Sequence, residues 1–141
     1  MLEHLNSSAL PPRRVVILGA HGFVGAASAR LLAANDVPVL SLGRAEADLL
    51  AAGTASRLAQ ELRPDDAVVV ISARAPCKDA AMLVDNVRMM ECVCQTLATV
   101  SVSHVLYISS DAVYRDSRAP LIEDRAPSRT PCTARCTWRA S

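Results

Sequence analysis

The stretch Val15–Gly25, VVILGAHGFVG, decides the fold of this chain. Its apolar first half predicts a strand over Arg14–Leu18 that is buried on both faces, as in a parallel sheet. Gly19 then permits a tight turn, Gly22 lets a phosphate approach the backbone, and Gly25 lets a helix pack close to the strand. The N-terminus of that helix offers free N–H groups and a partial positive charge. The stretch therefore predicts a dinucleotide-binding turn.

Apolar runs alternate with helical stretches along the rest of the chain. The expected elements are strands at Val37–Leu42, Ala67–Ser72 and His104–Ile108, helices at Phe23–Asn35, Thr54–Arg63 and Asp79–Val100, and a short third strand or a turn at Asp48–Leu50. Thr54 is expected to cap its helix. The buried side of the first helix is expected to carry Val24, Ala27, Leu31 and Leu32. The alternation predicts an α/β fold with a doubly wound parallel sheet, a Rossmann fold.

Length and composition limit the function classes. With 141 residues the chain has the size of one domain, and its net charge of +1 indicates neither nucleic acid nor an anionic membrane as a partner. No apolar run is long enough to span a bilayer, and the N-terminus lacks the pattern of a signal peptide, so we expect a cytoplasmic protein. The five cysteines are not spaced as metal ligands, so no metal site is expected. Residues 1–13 are expected to form a flexible arm.

The loops after the strands carry the candidate ligand residues, because doubly wound sheets bind ligands at the carboxyl ends of their strands. Arg44 follows the second strand, where it can pair with a 2′-phosphate or stack on adenine; a plain solvated arginine is the alternative. Glu46 lies close enough to keep a ribose 2′-hydroxyl as an option, so NAD and NADP both stay open. Ala73–Pro76 and Ser109-Ser110 follow two further strands.

Together these segments resemble one family, the extended short-chain dehydrogenases/reductases of the NAD-dependent epimerase/dehydratase group. The turn resembles that family's GxxGFxG motif, and further segments resemble its motifs in the same order: Asp48-Leu49, Val70–Ala75, Asp85-Asn86-Val87, Tyr107–Tyr114 (close to SS-x-x-VYG), and Leu121–Asp124 with Pro127. Ser72 and Arg74 depart from the family pattern. The resemblance spans residues 14–127.

The resemblance implies hydride transfer with NAD or NADP, and a nucleotide sugar as substrate. The cofactor contacts implied by the turn, the loops and the motifs are Gly19, Gly22, Phe23, Val24, Gly25, Arg44, Asp48, Leu49, Ser72, Ala73, Arg74 and Asn86. Ser110 corresponds to the family's catalytic serine. Family members commonly dimerise, which implies a homodimer for a full-length protein.

The chain departs from the family after Ser110. The family's base is a Tyr in a Tyr-x-x-x-Lys motif, whose Lys lowers the pKa of the Tyr, but no such motif follows here and Lys78 is the single lysine. We therefore expect an NAD(P)-binding domain over residues 14–118 that is truncated before the sixth strand and the substrate domain, and is catalytically inactive. Its last strand is expected at a sheet edge with an uncovered apolar side.

Residues 119–141 are expected to form an irregular tail. After Asp124 the chain has no acidic residue but four arginines. Codons can be chosen for Pro131–Ala140 that, shifted by one base, encode Tyr-Gly where the family has its Tyr. A shifted reading frame and a genuine terminus both stay open. Two other functions also stay open: an NAD(P)-sensing module that regulates a partner, and a nucleotide-free domain of the flavodoxin or receiver type. A receiver needs clustered acids after the first strand, and Gly19–His21 offers none.

Overall fold

A computed structural model describes residues 11–109, in which four strands alternate with three helices. The elements are β1 (Arg14–Leu18), α1 (Phe23–Ala34), β2 (Val39–Leu42), α2 (Thr54–Glu61), β3 (Asp66–Val70), α3 (Ala80–Thr99) and β4 (His104–Tyr107). Their ends differ by at most two residues from the sequence-based expectation. Ser110, the tail and the first ten residues of the expected arm lie outside the described residues.

The four strands form one parallel sheet in the order β2-β1-β3-β4. In its register Val16 lies between Leu40 of β2 and Val68 of β3. From β1 the chain first adds β2 on one side of β1, and then crosses over to add β3 and β4 on the other side. The strand order therefore reverses at β1, which makes a topological switch point there. In doubly wound sheets the ligand crevice opens at the carboxyl ends of the strands at this point.

The two faces of the sheet are covered by different helices. On one face Val16 and Val68 pack with Leu58 of α2 and Val93 of α3. On the other face Ile17 belongs to a smaller cluster with side chains of α1 and of β2. Helices on both faces confirm the doubly wound prediction, and the buried valines and isoleucine of β1 and β3 confirm that these strands are central.

The expected buried side of α1 is wrong for three of its four residues. Val24, Ala27 and Leu31 are exposed, Leu31 to 67%. Only Leu32 packs against the sheet, together with Ala29. Because α1 is rich in alanine on every side, the spacing of apolar residues does not identify the face that packs on the sheet. The buried Gly25 decides it, because its missing side chain lets α1 approach β1 closely on that face.

The segment between β2 and α2 matches one of the two alternatives expected for Asp48–Leu50 and differs from the expectation for Thr54. Asp48–Leu50 forms a turn and no strand, with the Leu50 N–H donating to Asp48 Oδ1 at 3.0 Å. Thr54 does not cap α2, since Gly53 holds the N-cap position. Instead the buried Thr54 hydroxyl donates to the Asp48 carbonyl at 2.7 Å and ties the helix to the turn.

The amino ends of the strands are joined by a polar network around the buried Asp66. Arg14 donates to both Asp66 carboxylate oxygens at 2.7 Å, and the Arg63 N–H donates to one of them at 2.7 Å. The Ser103 hydroxyl and N–H donate to the Asp66 carbonyl, at 2.7 and 3.0 Å. Burial alone would raise the pKa of the Asp66 carboxyl, but the hydrogen bonds from Arg14 and Arg63 outweigh it and hold that pKa below its usual value.

β2 and β4 form the two edges of the described sheet, and the side chains of β4 are poorly covered by other residues. All four of its residues are exposed, Tyr107 to 54%. This confirms the expectation of an edge strand with uncovered apolar side chains.

Candidate cofactor site

A groove of about 580 Å³ opens at the carboxyl ends of β1, β2 and β3. It lies at the switch point of the sheet, where ligands of this fold class bind. Sixteen residues line it: Gly19, His21, Gly22, Phe23, Val24, Gly43, Arg44, Ala47, Asp48, Leu49, Ile71, Ser72, Ala73, Arg74, Ala75 and Met89.

Two glycines shape the turn between β1 and α1. Gly19 has a φ of +94°, and a side chain there would also place its Cβ 2.9 Å from the Ser72 backbone nitrogen. A Cβ on Gly25 would overlap the Gly19 carbonyl oxygen and lie 2.8 Å from the Ala20 Cα. Glycine at these positions is therefore required by the protein itself, for the turn and for the approach of α1 to β1, as the sequence predicts.

Gly22 is different, because the protein does not require a glycine there. Its φ of −73° and ψ of 170° suit any residue, and a Cβ would meet nothing nearer than the Gly19 carbonyl oxygen at 3.4 Å. Gly22 nevertheless lines the groove at the N-cap of α1. A phosphate can contact the backbone only where no side chain intervenes. Such a contact would explain why a glycine lines the groove at a position where the fold does not need one.

The N-terminus of α1 points its free donors toward this groove. No side chain caps the helix, and its first turn contains no acidic residue. The first N–H groups of a helix lack intrahelical partners, so those of α1 are available to an anion. Phe23 and Val24, the first two helical residues, are exposed at the groove, Phe23 to 94%.

At the end of β2, the loop from Gly43 to Asp48 carries three charged side chains. Arg44 Nε lies 3.6 Å from Asp48 Oδ2. Glu46 Oε2 accepts the Gly43 N–H at 2.9 Å and lies 3.8 Å from His21 Nδ1. Leu49 is buried in the core beneath this loop and forms the apolar floor of the groove there.

At the end of β3, the loop that forms the opposite wall is held by α3. The Asn86 side chain accepts the Arg74 N–H at 2.7 Å and donates to the Arg74 carbonyl at 3.1 Å. The Arg74 guanidinium reaches Asp85 Oδ2 at 3.0 Å. Two neighbouring residues of α3 thus fix both the backbone and the side chain of Arg74. Asp79 begins that helix, its Oδ1 accepting the Met82 N–H at 2.8 Å.

The structure brings ten of the twelve residues expected at the cofactor to the groove: Gly19, Gly22, Phe23, Val24, Arg44, Asp48, Leu49, Ser72, Ala73 and Arg74. Gly25 lies behind the turn and Asn86 beneath the Arg74 loop, so both act on the groove through other residues. Ser110 lies outside the described residues.

Six lining residues were not among the twelve cofactor contacts expected from the sequence, and of these His21 and Gly43 matter most. They are far apart in sequence, yet a Cβ on Gly43 would overlap the His21 ring. The signal was present in the turn itself, since His21 stands between two of its glycines.

Among residues 11–109, no three His, Cys, Asp or Glu side chains converge as ligands for a metal ion. None of the helices in the same range has the length and apolar character needed to cross a bilayer.

Comparison with solved structures finds the same fold in proteins bound to NAD or NADP, two of them named for GDP-sugar chemistry. A GDP-L-fucose synthetase from Naegleria fowleri bound to NADP matches with a TM-score of 0.69 at 18% identity, over 86% of this chain and 39% of that chain. A GDP-mannoheptose C4 reductase from Campylobacter jejuni with NADP bound gives 0.65 at 18%, over 82% and 36%. A short-chain dehydrogenase/reductase superfamily protein from Agrobacterium tumefaciens with bound NAD gives 0.62 at 21%, over 81% and 38%.

The chain spans less than half the length of these solved relatives. At such identities the likeness establishes a shared fold. No curated protein sequence matches the chain significantly. The model of the NAD dependent epimerase/dehydratase family, however, matches residues 15–135, which is most of the sequence and includes every described strand and helix beyond Arg14. The chain therefore belongs to the NAD dependent epimerase/dehydratase family.

Proposed function

We propose that this chain binds NAD or NADP in the groove and is the cofactor-binding part of an epimerase/dehydratase-like oxidoreductase. The observation that carries the proposal is Gly22, whose missing side chain leaves open space at the N-terminus of α1 although the fold does not need it. An anionic pyrophosphate satisfies the free N–H groups of α1 and fills that space. When bound, the cofactor's nicotinamide supplies the hydride acceptor or donor.

The two walls of the groove differ in what they offer the rest of the cofactor. The wall after β2 presents Arg44 and Asp48 above the apolar Leu49, which suits an adenosine with its polar ribose and flat base. The wall after β3, Ser72 to Arg74, is fixed by Asn86 and leads toward the nicotinamide half. Leu49 and Met89 exclude water beneath the ligand.

We propose a nucleotide sugar as the substrate of the whole protein. Family membership supports this proposal, as do the similar structures, two of which are named for GDP-sugar chemistry. Ser110 is the proposed catalytic serine. Because no Tyr-x-x-x-Lys motif follows it in this sequence, we expect the chain alone to bind cofactor without turning over substrate.

Cofactor binding is tested by nicotinamide fluorescence. Purified full chain is titrated into NADH and into NADPH, and Gly22→Val is compared with Ala33→Val, which adds the same branched side chain at an exposed site near the other end of α1. We expect Gly22→Val to weaken binding at least about tenfold, because a Cβ with two methyl groups occupies the phosphate space. Ala33→Val is expected to bind like the wild type. Equal binding by Gly22→Val would refute the proposed site.

A non-catalytic NAD(P) sensor is the second candidate. The contacts of Asp85 and Asn86 with Arg74 favour it, because they couple a groove wall directly to α3. The two functions differ in one measurable respect: a sensor changes its affinity for a partner when cofactor binds, and transfers no hydride. Consumption of NAD(P)H with a nucleotide sugar would exclude the sensor.

A further inference from the structure

We infer that the groove binds the reduced form of the dinucleotide in preference to the oxidised form, and that Arg74 sets this preference. The inference rests on the proposed function, because it concerns the redox state of the cofactor in the same groove. It is carried by the wall after β3, where a guanidinium is fixed at the groove and its counter-charge lies behind it. The nicotinamide ring carries a positive charge when oxidised and none when reduced, so a fixed cation beside it opposes the oxidised form alone.

The nicotinamide half of a dinucleotide bound in this groove lies on the side of β3. The strand order reverses at β1, and doubly wound folds bind the two halves of a dinucleotide across the crevice at such a point. With the pyrophosphate at the N-terminus of α1 and the adenosine at the loop after β2, the other half extends along the wall formed by Ser72 to Ala75. Arg74 belongs to this wall.

Arg74 supplies the charge of this side of the groove. Six residues line the groove from α3 and from the segment after β3, and five of them are uncharged: Ile71, Ser72, Ala73, Ala75 and Met89. No acidic residue of the described range 11–109 lines the groove on this side. A nicotinamide at this wall therefore meets a positive charge and no lining carboxylate.

Three contacts hold Arg74 in place. Its N–H donates to Asn86 Oδ1 at 2.7 Å, and its carbonyl accepts from Asn86 Nδ2 at 3.1 Å. Its Nη1 lies 3.0 Å from Asp85 Oδ2. Because backbone and guanidinium are both fixed, the charge stays at the wall and does not swing into solvent when a positive ring arrives.

The counter-charge of Arg74 lies on the far side of the guanidinium from the groove. The Arg74 side chain is 40% exposed and lines the groove, whereas that of Asp85 is 23% exposed and does not line it. The positive end of the ion pair therefore faces the ligand, and the carboxylate reduces its field without cancelling it. Such a preference suits a reductase, which takes up reduced cofactor and releases the oxidised form.

The test is the ratio of two dissociation constants, that of the oxidised over that of the reduced cofactor. Calorimetric titration of the full chain measures it for NADP⁺ and NADPH and again for NAD⁺ and NADH. We expect the wild type to bind the reduced forms more tightly, and Arg74→Gln to lower the ratio about 3–10-fold. Arg74→Lys keeps the charge and should keep most of the ratio.

Asp85→Asn should change the ratio in the opposite direction. Asparagine still accepts a hydrogen bond from the guanidinium but removes the counter-charge, so the ratio should rise about 2–5-fold. The control is Arg30→Gln, which removes the charge of an exposed arginine of α1 outside the groove and should leave the ratio unchanged. Thermal unfolding of each variant shows whether the fold is intact.

The ratio separates an electrostatic role of Arg74 from a purely structural one. If Arg74→Gln weakens both redox forms equally, the ion pair only holds the loop, and the inference fails. It fails as well if the wild type binds both forms equally or prefers the oxidised one, or if Asp85→Asn lowers the ratio. In each of these cases the proposed function stands, provided that Gly22→Val abolishes cofactor binding. If neither redox form of either dinucleotide binds, both fail.

Discussion

The two ends of the sheet are built on opposite principles. At the amino ends of the strands, the Asp66 carboxylate and carbonyl find donors in Arg14, Arg63 and Ser103. At the carboxyl ends, backbone and side-chain donors of the β1–α1 turn and of Arg44 face an open groove. Within residues 11–109, no buried side-chain nitrogen or oxygen lacks a hydrogen-bond partner, so any side-chain donor without a partner in that range is exposed to solvent.

This difference separates stability from binding. Hydrogen-bonding groups that already have partners within the protein stabilise the fold and are not available to a ligand. Donors without protein partners, as at the glycine-rich turn, stabilise the fold little and are available to an anion. Substitutions at the amino end should therefore change the free energy of unfolding, and substitutions at the carboxyl end should change affinity.

The largest effect is expected at the amino end, for Asp66→Ala. The substitution leaves the Arg14 guanidinium, 16% exposed, and the Arg63 N–H without their acceptor, and we expect a loss of about 3–5 kcal/mol in the free energy of unfolding. Urea unfolding followed by circular dichroism measures it. Asp65→Ala, at the exposed neighbouring position, is the control and should cost under about 0.5 kcal/mol. Similar values for both variants would show that the network does not stabilise the fold.

The next largest effect is expected for Gly25→Val, which should change both stability and cofactor binding. Gly25→Val forces a Cβ into the Gly19 carbonyl oxygen, and we expect it to destabilise the chain by about 1–3 kcal/mol and to impair cofactor binding as well. Gly22→Val should impair binding with a smaller loss of stability, because valine is a poorer N-cap than glycine. Unfolding curves and NADPH titrations of both variants separate the two glycines. A stable Gly25→Val chain would contradict the close packing of α1 on β1.

A smaller effect is expected for Asn86→Ala, which removes both hydrogen bonds to the Arg74 backbone. Two bonds of this kind are worth about 1–2 kcal/mol in stability, and the loosened groove wall should weaken cofactor binding severalfold. Asn86→Asp keeps the acceptor for the Arg74 N–H and should recover part of both. If Asn86→Ala binds cofactor like the wild type, the Arg74 loop does not need α3 to hold it.

The smallest effect is the pH dependence that Asp66 produces. Because its pKa lies below the ordinary value of 3.8, this carboxylate contributes stability that is present above that value and is lost as pH falls through the lower, folded-state pKa. We therefore expect the acid-induced loss of stability below pH 3.8 to be shallower in Asp66→Asn than in the wild type. Urea midpoints measured from pH 6 to pH 2.5 test this, and parallel curves would contradict it.

Much of the fold was predictable because β1 and β3 are largely apolar runs and because the spacing of Gly19, Gly22 and Gly25 predicts a strand–turn–helix unit. The errors have physical causes. Alanine covers all sides of α1, so periodicity could not identify the face that Gly25 brings to the sheet. Thr54 has the chemistry of a cap, but Gly53 occupies the N-cap position one residue earlier, and the Thr54 hydroxyl donates to the Asp48 carbonyl.

The candidate site was predictable where residues adjoin in sequence and not where they meet only in space. The turn, Arg44 and the Ser72–Arg74 loop were identified because each directly follows a strand. The packing of His21 against Gly43 and the two bonds from Asn86 to Arg74 were not, because each joins residues from separate elements.

The sequence by itself determined the alternation of strands and helices, the family, and the position of the glycine-rich turn, because these depend on local patterns of apolar residues and glycines. The tertiary structure alone decided which glycines the fold requires and which one it does not. That distinction depends on the space around each Cα, which is open at Gly22 and filled by Gly19 and Ala20 at Gly25.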